Sequence, residues 1–202
     1  MKRGKLITLE GMDGAGKSTH IAHIIQTLQA SGHTVVSTRE PGGTPLGERL
    51  RDLLLHEDMH VETEALLMFA ARKEHLDKVI LPALNQGFYV LSDRFTDASY
   101  AYQVGAKGLA YTKMEILENW VQGELQPDHT LLFDVPVEVS MQRLARARTP
   151  DKFEREGADF FHKIRETYLL RAQKFPARFF VINTNQPLEK VKEEVDNIVS
   201  TY

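Results

Sequence analysis

Short apolar runs alternate with helical patterns along the chain, and this alternation is typical of an α/β protein. Each run is bounded by Gly, Pro, Asn or Asp, residues that favour turns. The runs predict strands at Leu6–Glu10, Thr34–Thr38, Phe88–Ser92, Thr130–Asp134 and Phe179–Asn183.

Helical periodicity fills the intervals between the predicted strands. The first helical stripe consists of Ile21, Ile24, Ile25 and Leu28, and Ser31-Gly32 supplies its stop signal. The same spacing follows Pro45, in Leu46, Leu50, Leu53 and Leu54, and follows Pro187, in Val191, Val195, Ile198 and Val199. Strands joined by helical crossovers run parallel. The pattern therefore predicts a three-layer α/β fold, with a five-stranded parallel sheet flanked by helices on both faces.

Composition limits the classes of protein that the chain can represent. Its 202 residues are 42% hydrophobic and carry no internal repeat, so we expect one domain over residues 1–202. The 25 Lys and Arg against 28 Asp and Glu give a net charge of −3. This balance excludes the overall positive field of a protein that coats nucleic acid or an anionic membrane. Any anionic ligand must be held by a local cluster of positive charge.

The chain contains no cysteine, which excludes disulfides, a thiolate nucleophile and Cys-based metal sites, and fits a reducing compartment. The longest apolar runs, such as Ala65–Ala71, are too short to span a membrane. The sequence reaches Glu10 too soon for a secretory signal. We expect a cytoplasmic protein that is mature as written.

A glycine-rich loop lies between the first predicted strand and the first predicted helix. Its sequence, Gly11-Met12-Asp13-Gly14-Ala15-Gly16-Lys17-Ser18, matches the phosphate-loop pattern G-x-x-x-x-G-K-[ST] in full. Glycines let backbone N–H groups turn inward around phosphate oxygens, and the helix N-terminus adds partial positive charge. In such loops the Lys reaches the terminal phosphates and the Ser hydroxyl binds Mg²⁺. The sequence predicts a site for a nucleoside triphosphate and magnesium.

A carboxylate at the end of another strand would complete the magnesium site. Asp93 and Asp134 both qualify, and their spacing does not distinguish between them. Arg94 follows Asp93 and would place a guanidinium beside the phosphates.

Basic residues concentrate in two groups. The segment from Arg143 to Arg155 holds five basic residues against two acidic ones, and we interpret residues 143–157 as a lid, with a solvated helix face as the alternative. The second group consists of arginines near strand ends: Arg39, Arg51, Arg72 and Arg94. They exceed what one triphosphate needs, which indicates an acceptor that also carries a phosphate. A phosphate monoester is mostly dianionic at neutral pH and attacks without a general base.

Together these motifs resemble the thymidylate kinase family, whose members make dTDP from dTMP and ATP. The resemblance covers nearly the whole chain. It rests on the phosphate loop with its acidic Asp13, on Arg39–Gly43, Phe69–Arg72, Asp93–Phe95 and Ser99–Gln103, and on an arginine-bearing lid. It implies the fold of the P-loop NTPases, Mg²⁺ as cofactor and direct in-line transfer of the γ-phosphoryl group. It also implies a homodimer, for which the apolar helix predicted at 62–84 is a candidate surface.

The resemblance also assigns the phosphate and sugar contacts of dTMP. Arg39 and Arg94 correspond to arginines that grip its phosphate, and Arg51 corresponds to one at the edge of that phosphate. Asp13 corresponds to a residue near the 3′-hydroxyl, and Tyr102 lies near the sugar, where it disfavours a ribose 2′-hydroxyl.

Five further positions concern the thymine base. Arg72 corresponds to the arginine that hydrogen-bonds O4, and Ser99 and Gln103 occupy positions that read the polar edge. The family stacks thymine on a Phe four residues before that arginine. Here the position is Met68 and Phe69 follows it, so the sequence leaves both as candidates for covering the base.

The predicted ATP-binding residues are the loop, the start of its helix and one basic residue of the lid: Gly11, Met12, Asp13, Gly14, Ala15, Gly16, Lys17, Ser18, Thr19 and Arg143. The predicted magnesium ligands are Ser18 and Asp93. The predicted catalytic residues are Lys17, Arg148, Arg146, Arg94 and Asp13. Because the loop carries Gly14-Ala15 rather than an arginine, the resemblance is to the bacterial type with its catalytic arginine in the lid, where Arg148 is the first choice and Arg146 the second.

Alternative functions remain open at this point. The chain could be a P-loop kinase for another nucleoside monophosphate, or a nucleotide-dependent switch, although it has no Asn-Lys-x-Asp motif. A nucleic-acid-dependent ATPase conflicts with the net charge of −3.

Overall fold

A parallel sheet forms the centre of the molecule. The computed structural model describes residues 3–145, 152–153 and 156–202. Within them, the strands are β1 (Leu6–Glu10), β2 (Val35–Arg39), β3 (Tyr89–Asp93), β4 (His129–Asp134) and β5 (Phe179–Asn183). They pair in the order β2-β3-β1-β4-β5, all parallel. The predicted five-stranded parallel sheet is confirmed, and each predicted strand end lies within one residue of the observed end.

Helices connect the strands and surround the sheet. They are α1 (Lys17–Ala30), α2 (Pro45–His56), α3 (Val61–His75), α4 (Leu81–Asn85), α5 (Thr96–Ser99), α6 (Tyr111–Gln122), α7 (Val137–Leu144), α8 (Ala158–Lys174) and α9 (Leu188–Val199). Two stretches, Leu76–Ile80 and Tyr100–Ala106, are π-helical. None of the helices in the described ranges combines the length and the apolar character that crossing a membrane requires.

The helix predicted at 62–84 is interrupted by a change of helix type. It forms α3, a π-helical stretch and α4 in direct succession. Pro82 stands at the start of α4 and has no N–H to donate to the preceding turn, so the regular hydrogen-bond ladder cannot continue through it. Apolar periodicity predicts the helix but not its local hydrogen bonding.

The central strands carry the core and bring their carboxyl ends to one edge. All five residues of β1 are buried, because β1 lies between β3 and β4 and is covered on both faces. Leu9 is opposite Asp93, and Arg39 is also opposite Asp93 in the register. The phosphate loop after β1 therefore lies beside the end of β3, and Arg39 at the end of β2 lies on the far side of β3.

Candidate functional site

The phosphate loop has the backbone conformation that its glycines allow. Gly11 and Gly14 have φ of 132° and 77°, a region in which L side chains are strained. A Cβ on Gly11 would lie 2.4 Å from the Phe133 carbonyl oxygen, and one on Gly14 would lie 2.6 Å from that of Ser140. The loop then leads into α1, whose first residue is Lys17. These glycines allow the close backbone packing of the predicted nest.

Lys17 folds back over the loop. Its Nζ donates to the carbonyl oxygens of Gly11 at 2.9 Å and Met12 at 3.0 Å. Burial lowers the pKa of Lys17 to about 8, and the positive charge of Arg94 acts in the same direction against the raising effect of Asp13 and other carboxylates. The lysine thus holds its charge in a confined position at the mouth of the loop.

Two adjoining cavities open at the carboxyl edge of the sheet. The outer cavity is lined by the loop and by charged residues: Asp13, Gly14, Gly16, Lys17, Ser18, Thr19, Arg39, Glu40, Arg51, Asp93, Arg94, Arg143 and Leu144. The inner cavity is lined by Asp13, Glu40, Pro41, Arg51, Leu55, Met68, Arg72, Arg94, Phe95, Ala98, Ser99, Tyr102, Gln103 and Phe153. Four residues belong to both linings, so the cavities form one cleft.

Asp13, Arg94 and Tyr102 form the boundary between the two cavities. Arg94 Nη2 donates to Asp13 Oδ1 at 2.6 Å and to the Tyr102 hydroxyl at 3.0 Å, and that hydroxyl donates to Asp13 Oδ2 at 2.8 Å. Burial by itself would raise the pKa of Asp13, but the charges of Arg94 and Lys17 and two hydrogen bonds outweigh it, and the pKa lies well below its usual range. The Asp13 carboxylate therefore faces Arg94 and Tyr102.

Arg94 itself has a left-handed backbone, with φ of 71°. Such a conformation is uncommon for a residue with a side chain and persists where the surroundings enforce it. Here the Ser92 hydroxyl donates to the Arg94 carbonyl oxygen, and Arg94 Nη1 donates to the carbonyl oxygen of Gly11 at 3.1 Å. The strained backbone aims the guanidinium back across the cleft.

The other two arginines predicted near the acceptor phosphate lie on the opposite wall. Arg51 lines both cavities, and its Nη1 donates to the Pro41 carbonyl oxygen at 2.9 Å. Arg39 lines the outer cavity and pairs with Glu48 at 2.7 Å. Arg39, Arg51 and Arg94 therefore surround the place where the cavities meet.

Arg72 lies at the inner end of the cleft in an interlocked polar cluster. Its Nε donates to Glu40 Oε2 at 2.7 Å and its Nη2 donates to the Ser99 hydroxyl at 3.0 Å. His75 Nδ1 lies 2.9 Å from the other Glu40 oxygen. The Arg72 Nη1 is buried without a hydrogen-bond partner in the part of the chain that the structure describes. An unsatisfied donor that lines a cavity indicates a ligand acceptor at that point.

Met68 and Phe69 differ in position. Met68 lines the inner cavity, whereas the ring of Phe69 is buried and packs against the Arg72 guanidinium. The centre of the Phe69 ring lies 4.4 Å from Arg72 Cζ, and that of the Phe95 ring lies 5.1 Å from the same atom. The expectation that Phe69 could cover the base therefore does not fit its position, because on α3 its side chain turns into the protein. Met68 is left as the candidate.

The carboxylates proposed for magnesium also differ. Asp134 forms a two-point ion pair with Arg165, at 2.7 and 2.8 Å. Asp93 lines the outer cavity with Ser18, and its Oδ1 is buried without a hydrogen-bond partner among the described residues. A hydroxyl and a free carboxylate oxygen are the oxygen donors that Mg²⁺ prefers. In the described ranges, no group of three or more His, Asp or Glu residues could hold a metal alone. The donor set fits an ion that shares its coordination with phosphates.

The remaining predicted residues divide into three groups. Arg143 lies beside the loop, where its Nη1 donates to the Gly14 carbonyl oxygen at 3.3 Å. Met12 and Ala15 have buried side chains and can offer only backbone groups to a ligand. Arg146 and Arg148 lie outside the described residues.

Some residues that support the site belong to none of the motifs in the sequence. Glu10 accepts hydrogen bonds from the Phe95 N–H and the Tyr168 hydroxyl, both at 2.8 Å. Burial, together with the charge of Asp97, raises the pKa of Glu10 to about 8 against the opposing effect of Arg94. Tyr168 also accepts from Arg94 at 3.1 Å. A polar residue at the end of a buried strand is the signal that could have identified Glu10.

Comparisons with known proteins give a consistent result. The family model for thymidylate kinase matches residues 9–195. A thymidylate kinase of Methylobacillus flagellatus is 64% identical over 200 residues, which are 99% of this chain and 98% of the relative. One of Cupriavidus taiwanensis is 59% identical over 201 residues, with 98% and 99% covered. The crystal structure of thymidylate kinase from Ehrlichia chaffeensis matches with a TM-score of 0.78 at 31% identity, with 98% of this chain and 99% of that chain covered.

Proposed function

The chain belongs to the thymidylate kinase family, a family of nucleoside monophosphate kinases, and on that premise we propose how its cleft phosphorylates dTMP to dTDP. The proposal depends on one observation. A phosphate nest and a polar inner cavity share one boundary of charged residues, and the inner cavity is lined by Arg72, whose Nη1 has no hydrogen-bond partner among the described residues. Two phosphate-bearing substrates can therefore meet end to end.

We place ATP in the outer cavity. Its terminal phosphates take the position that Lys17 faces, and loop N–H groups and the α1 N-terminus supply further positive potential. Arg143 lies beside Gly14 and is placed to contact the same nucleotide. Ser18 and Asp93 would hold Mg²⁺, which, when bound, neutralises charge on the phosphates.

The dTMP molecule occupies the inner cavity. Its phosphate lies between Arg39, Arg51 and Arg94, and its sugar lies near Asp13 and Tyr102. Met68 covers one face of the base through its polarizable thioether. At the far end, the Arg72 Nη1 donates to the O4 acceptor, and Ser99 and Gln103 line the polar edge.

Catalysis in this cleft consists of positioning and charge neutralisation. The acceptor phosphate is already dianionic at neutral pH, so no group needs to remove a proton from it. Asp13 does not act as a base, because its low pKa keeps it ionised and paired with Arg94. Arg94 and Lys17 neutralise charge where the two phosphates meet. The resemblance adds Arg148 as the first choice for contact with the transferred group and Arg146 as the second.

Transfer of label separates this function from its alternative. We expect γ-³²P from ATP to appear in dTDP with little release of inorganic phosphate. Phosphate release that dTMP does not stimulate would instead support a nucleotide-dependent switch. Arg148→Ala is expected to lower kcat about tenfold or more and leave dTMP affinity nearly unchanged, as for a contact made in the transition state. A fall in affinity without a fall in kcat would show that the lid assignment is wrong.

We further propose that the enzyme is a homodimer that acts in the cytoplasm. The support for a dimer is an exposed apolar surface on the packed pair α3 and α6, where Leu66, Ile116 and Trp120 are 55%, 64% and 77% exposed. Trp120 therefore does not belong to the core. Sedimentation equilibrium of Ile116→Glu should show monomers where the parent chain shows dimers. The absence of cysteine fits the reducing cytoplasm.

A further inference from the structure

We propose that Glu64 is a specificity-determining positioning residue, which fixes the side-chain amide of Gln103 so that its oxygen faces the inner cavity. The inference rests on the proposed function, since it concerns how the thymine edge is distinguished from that of another base. Glu64 lines neither cavity and would touch no ligand. It acts through Gln103.

The geometry joins α3 to the π-helical stretch at 100–106. Gln103 Nε2 donates to Glu64 Oε1 at 3.0 Å, and the two side chains are buried. Lys107 Nζ donates to the other oxygen, Glu64 Oε2, at 2.7 Å, and Lys152 Nζ lies 3.1 Å from the same oxygen. Every contact that the described residues make with this carboxylate is therefore from a donor.

The chemistry of Glu64 decides which way the Gln103 amide points. A carboxylate whose two oxygens face only donor groups takes part in these contacts as an acceptor. The amide nitrogen of Gln103 must face it, because the amide oxygen would meet a second acceptor. The Gln103 oxygen is then directed to the cavity that Gln103 lines, and no described residue donates to it.

An acceptor in this place selects the base by its hydrogen-bonding edge. Thymine carries an N–H at position 3 and an acceptor at O4, whereas cytosine carries an acceptor and an amino group at the equivalent positions. Gln103 offers an acceptor and the Arg72 Nη1 offers a donor. The pair therefore matches thymine and opposes cytosine at both positions. Arg72 is fixed by Glu40, and Glu64 plays the corresponding part for Gln103.

Glu64→Gln tests the role directly, because it replaces an acceptor-only group with one that also donates. Lys107 and Lys152 attract the new carbonyl oxygen, which turns the new NH₂ group toward Gln103. The Gln103 amide then reverses and presents its own NH₂ to the cavity. We expect kcat/KM for dTMP to fall about tenfold or more, the scale of one misdirected buried hydrogen bond, and kcat/KM for dCMP to rise.

A gain toward dCMP is a result that structural damage cannot produce. Glu74→Gln is the matched control, because it makes the same change on the same helix. Glu74 pairs with Lys78 and lines neither cavity, so kcat/KM for both substrates should stay unchanged. In a Gln103→Ala background, Glu64→Gln should leave the dTMP-to-dCMP ratio where Gln103→Ala alone sets it. If Glu64→Gln does not fold, Glu64→Asp replaces it in the test. Asp keeps the carboxylate on a side chain one methylene shorter, and the dTMP-to-dCMP ratio is again expected to fall.

Other results would overturn the inference. A positioning role would be excluded if the dTMP-to-dCMP ratio of kcat/KM in Glu64→Gln stayed within about twofold of the parent enzyme, because a misdirected buried hydrogen bond costs more than that. The same criterion applies to Glu64→Asp if Glu64→Gln does not fold. If Glu64→Gln lowered the dTMP-to-dCMP ratio as much in the Gln103→Ala background as in the parent enzyme, Glu64 would not act through Gln103. A parent enzyme that transfers phosphate but does not prefer dTMP to dCMP would overturn the assignment of the thymine edge as well. Failure of the parent enzyme to transfer phosphate at all would contradict the proposed function.

Discussion

The outer and inner cavities are built in different ways, although they adjoin. Six of the thirteen residues that line the outer cavity come from one short segment, the loop and the start of α1. The inner cavity depends on side chains that are fixed from far away in the chain, such as Arg72 by Glu40 and Gln103 by Glu64, across 32 and 39 positions. The phosphate loop is therefore a local feature of the sequence, whereas the side chains of the inner cavity are brought together by the tertiary fold.

The largest effect that this comparison predicts is on stability, at the inner cavity. Glu40→Gln leaves Arg72 buried beside a neutral partner, and breaking a buried pair costs about 3–5 kcal/mol in the free energy of unfolding. Glu48→Gln is the matched control, because its pair with Arg39 is exposed and contributes about 1 kcal/mol or less. Urea denaturation measures both. Equal losses in the two variants would contradict the distinction between the cavities.

The next effect is on turnover, at the outer cavity. Lys17→Ala is expected to lower kcat about 10²–10³-fold, the scale of losing one charged group at a developing negative charge. The free energy of unfolding should fall by only about 1–3 kcal/mol, because the variant removes the hydrogen bonds from Lys17 Nζ to the carbonyl oxygens of Gly11 and Met12. Lys73→Ala, an exposed residue paired with Asp77, is the control. A loss of folding in Lys17→Ala, rather than of turnover, would contradict a local phosphate site.

A smaller effect separates Met68 from Phe69. Met68→Ala removes the side chain that lines the inner cavity, and KM for dTMP should rise about tenfold, the worth of burying a side chain of this size. Phe69→Leu should instead lower the free energy of unfolding by about 1 kcal/mol, because its ring supports Arg72. Steady-state kinetics and denaturation of both variants distinguish the roles, and the reverse pattern would restore Phe69 as the residue that covers the base.

The smallest expected effect is on how steeply the free energy of unfolding changes with pH. Burial raises the pKa of Glu40, but Arg72 and the hydrogen-bonded His75 outweigh it and the pKa is lowered from 4.5. A carboxylate whose pKa is lower in the folded than in the unfolded chain stabilises the fold at pH values above its unfolded pKa. That contribution is lost as the pH falls through its folded pKa. The free energy of unfolding should fall below about pH 4.5 in the parent enzyme. It should fall less steeply in Glu40→Gln. Identical slopes would show that Glu40 is not ionised in the fold.

Sequence patterns were sufficient for the sheet and the phosphate loop, because apolar alternation and the loop motif are local signals. Strand-end spacing alone did not separate Asp93, the predicted magnesium ligand, from Asp134, because the ion pair between Asp134 and Arg165 joins residues far apart in the chain. The choice of Met68 over Phe69 also required the direction in which α3 packs. Glu64 carries no motif, and its contacts with Gln103, Lys107 and Lys152 exist only in the folded chain. The roles of Arg146 and Arg148 stay predictions.

The ratio of kcat/KM for dTMP to kcat/KM for dCMP in the parent enzyme tests the central claim most directly. The two nucleotides carry the same phosphate and sugar and differ in the base, at the edge that we propose faces Arg72 and Gln103 and at C5, where only thymine carries a methyl group. With a mismatch at both positions, dTMP should be preferred by about 30-fold to 10⁴-fold, at about 1–3 kcal/mol for each. A ratio near one would contradict recognition of the base by these two side chains.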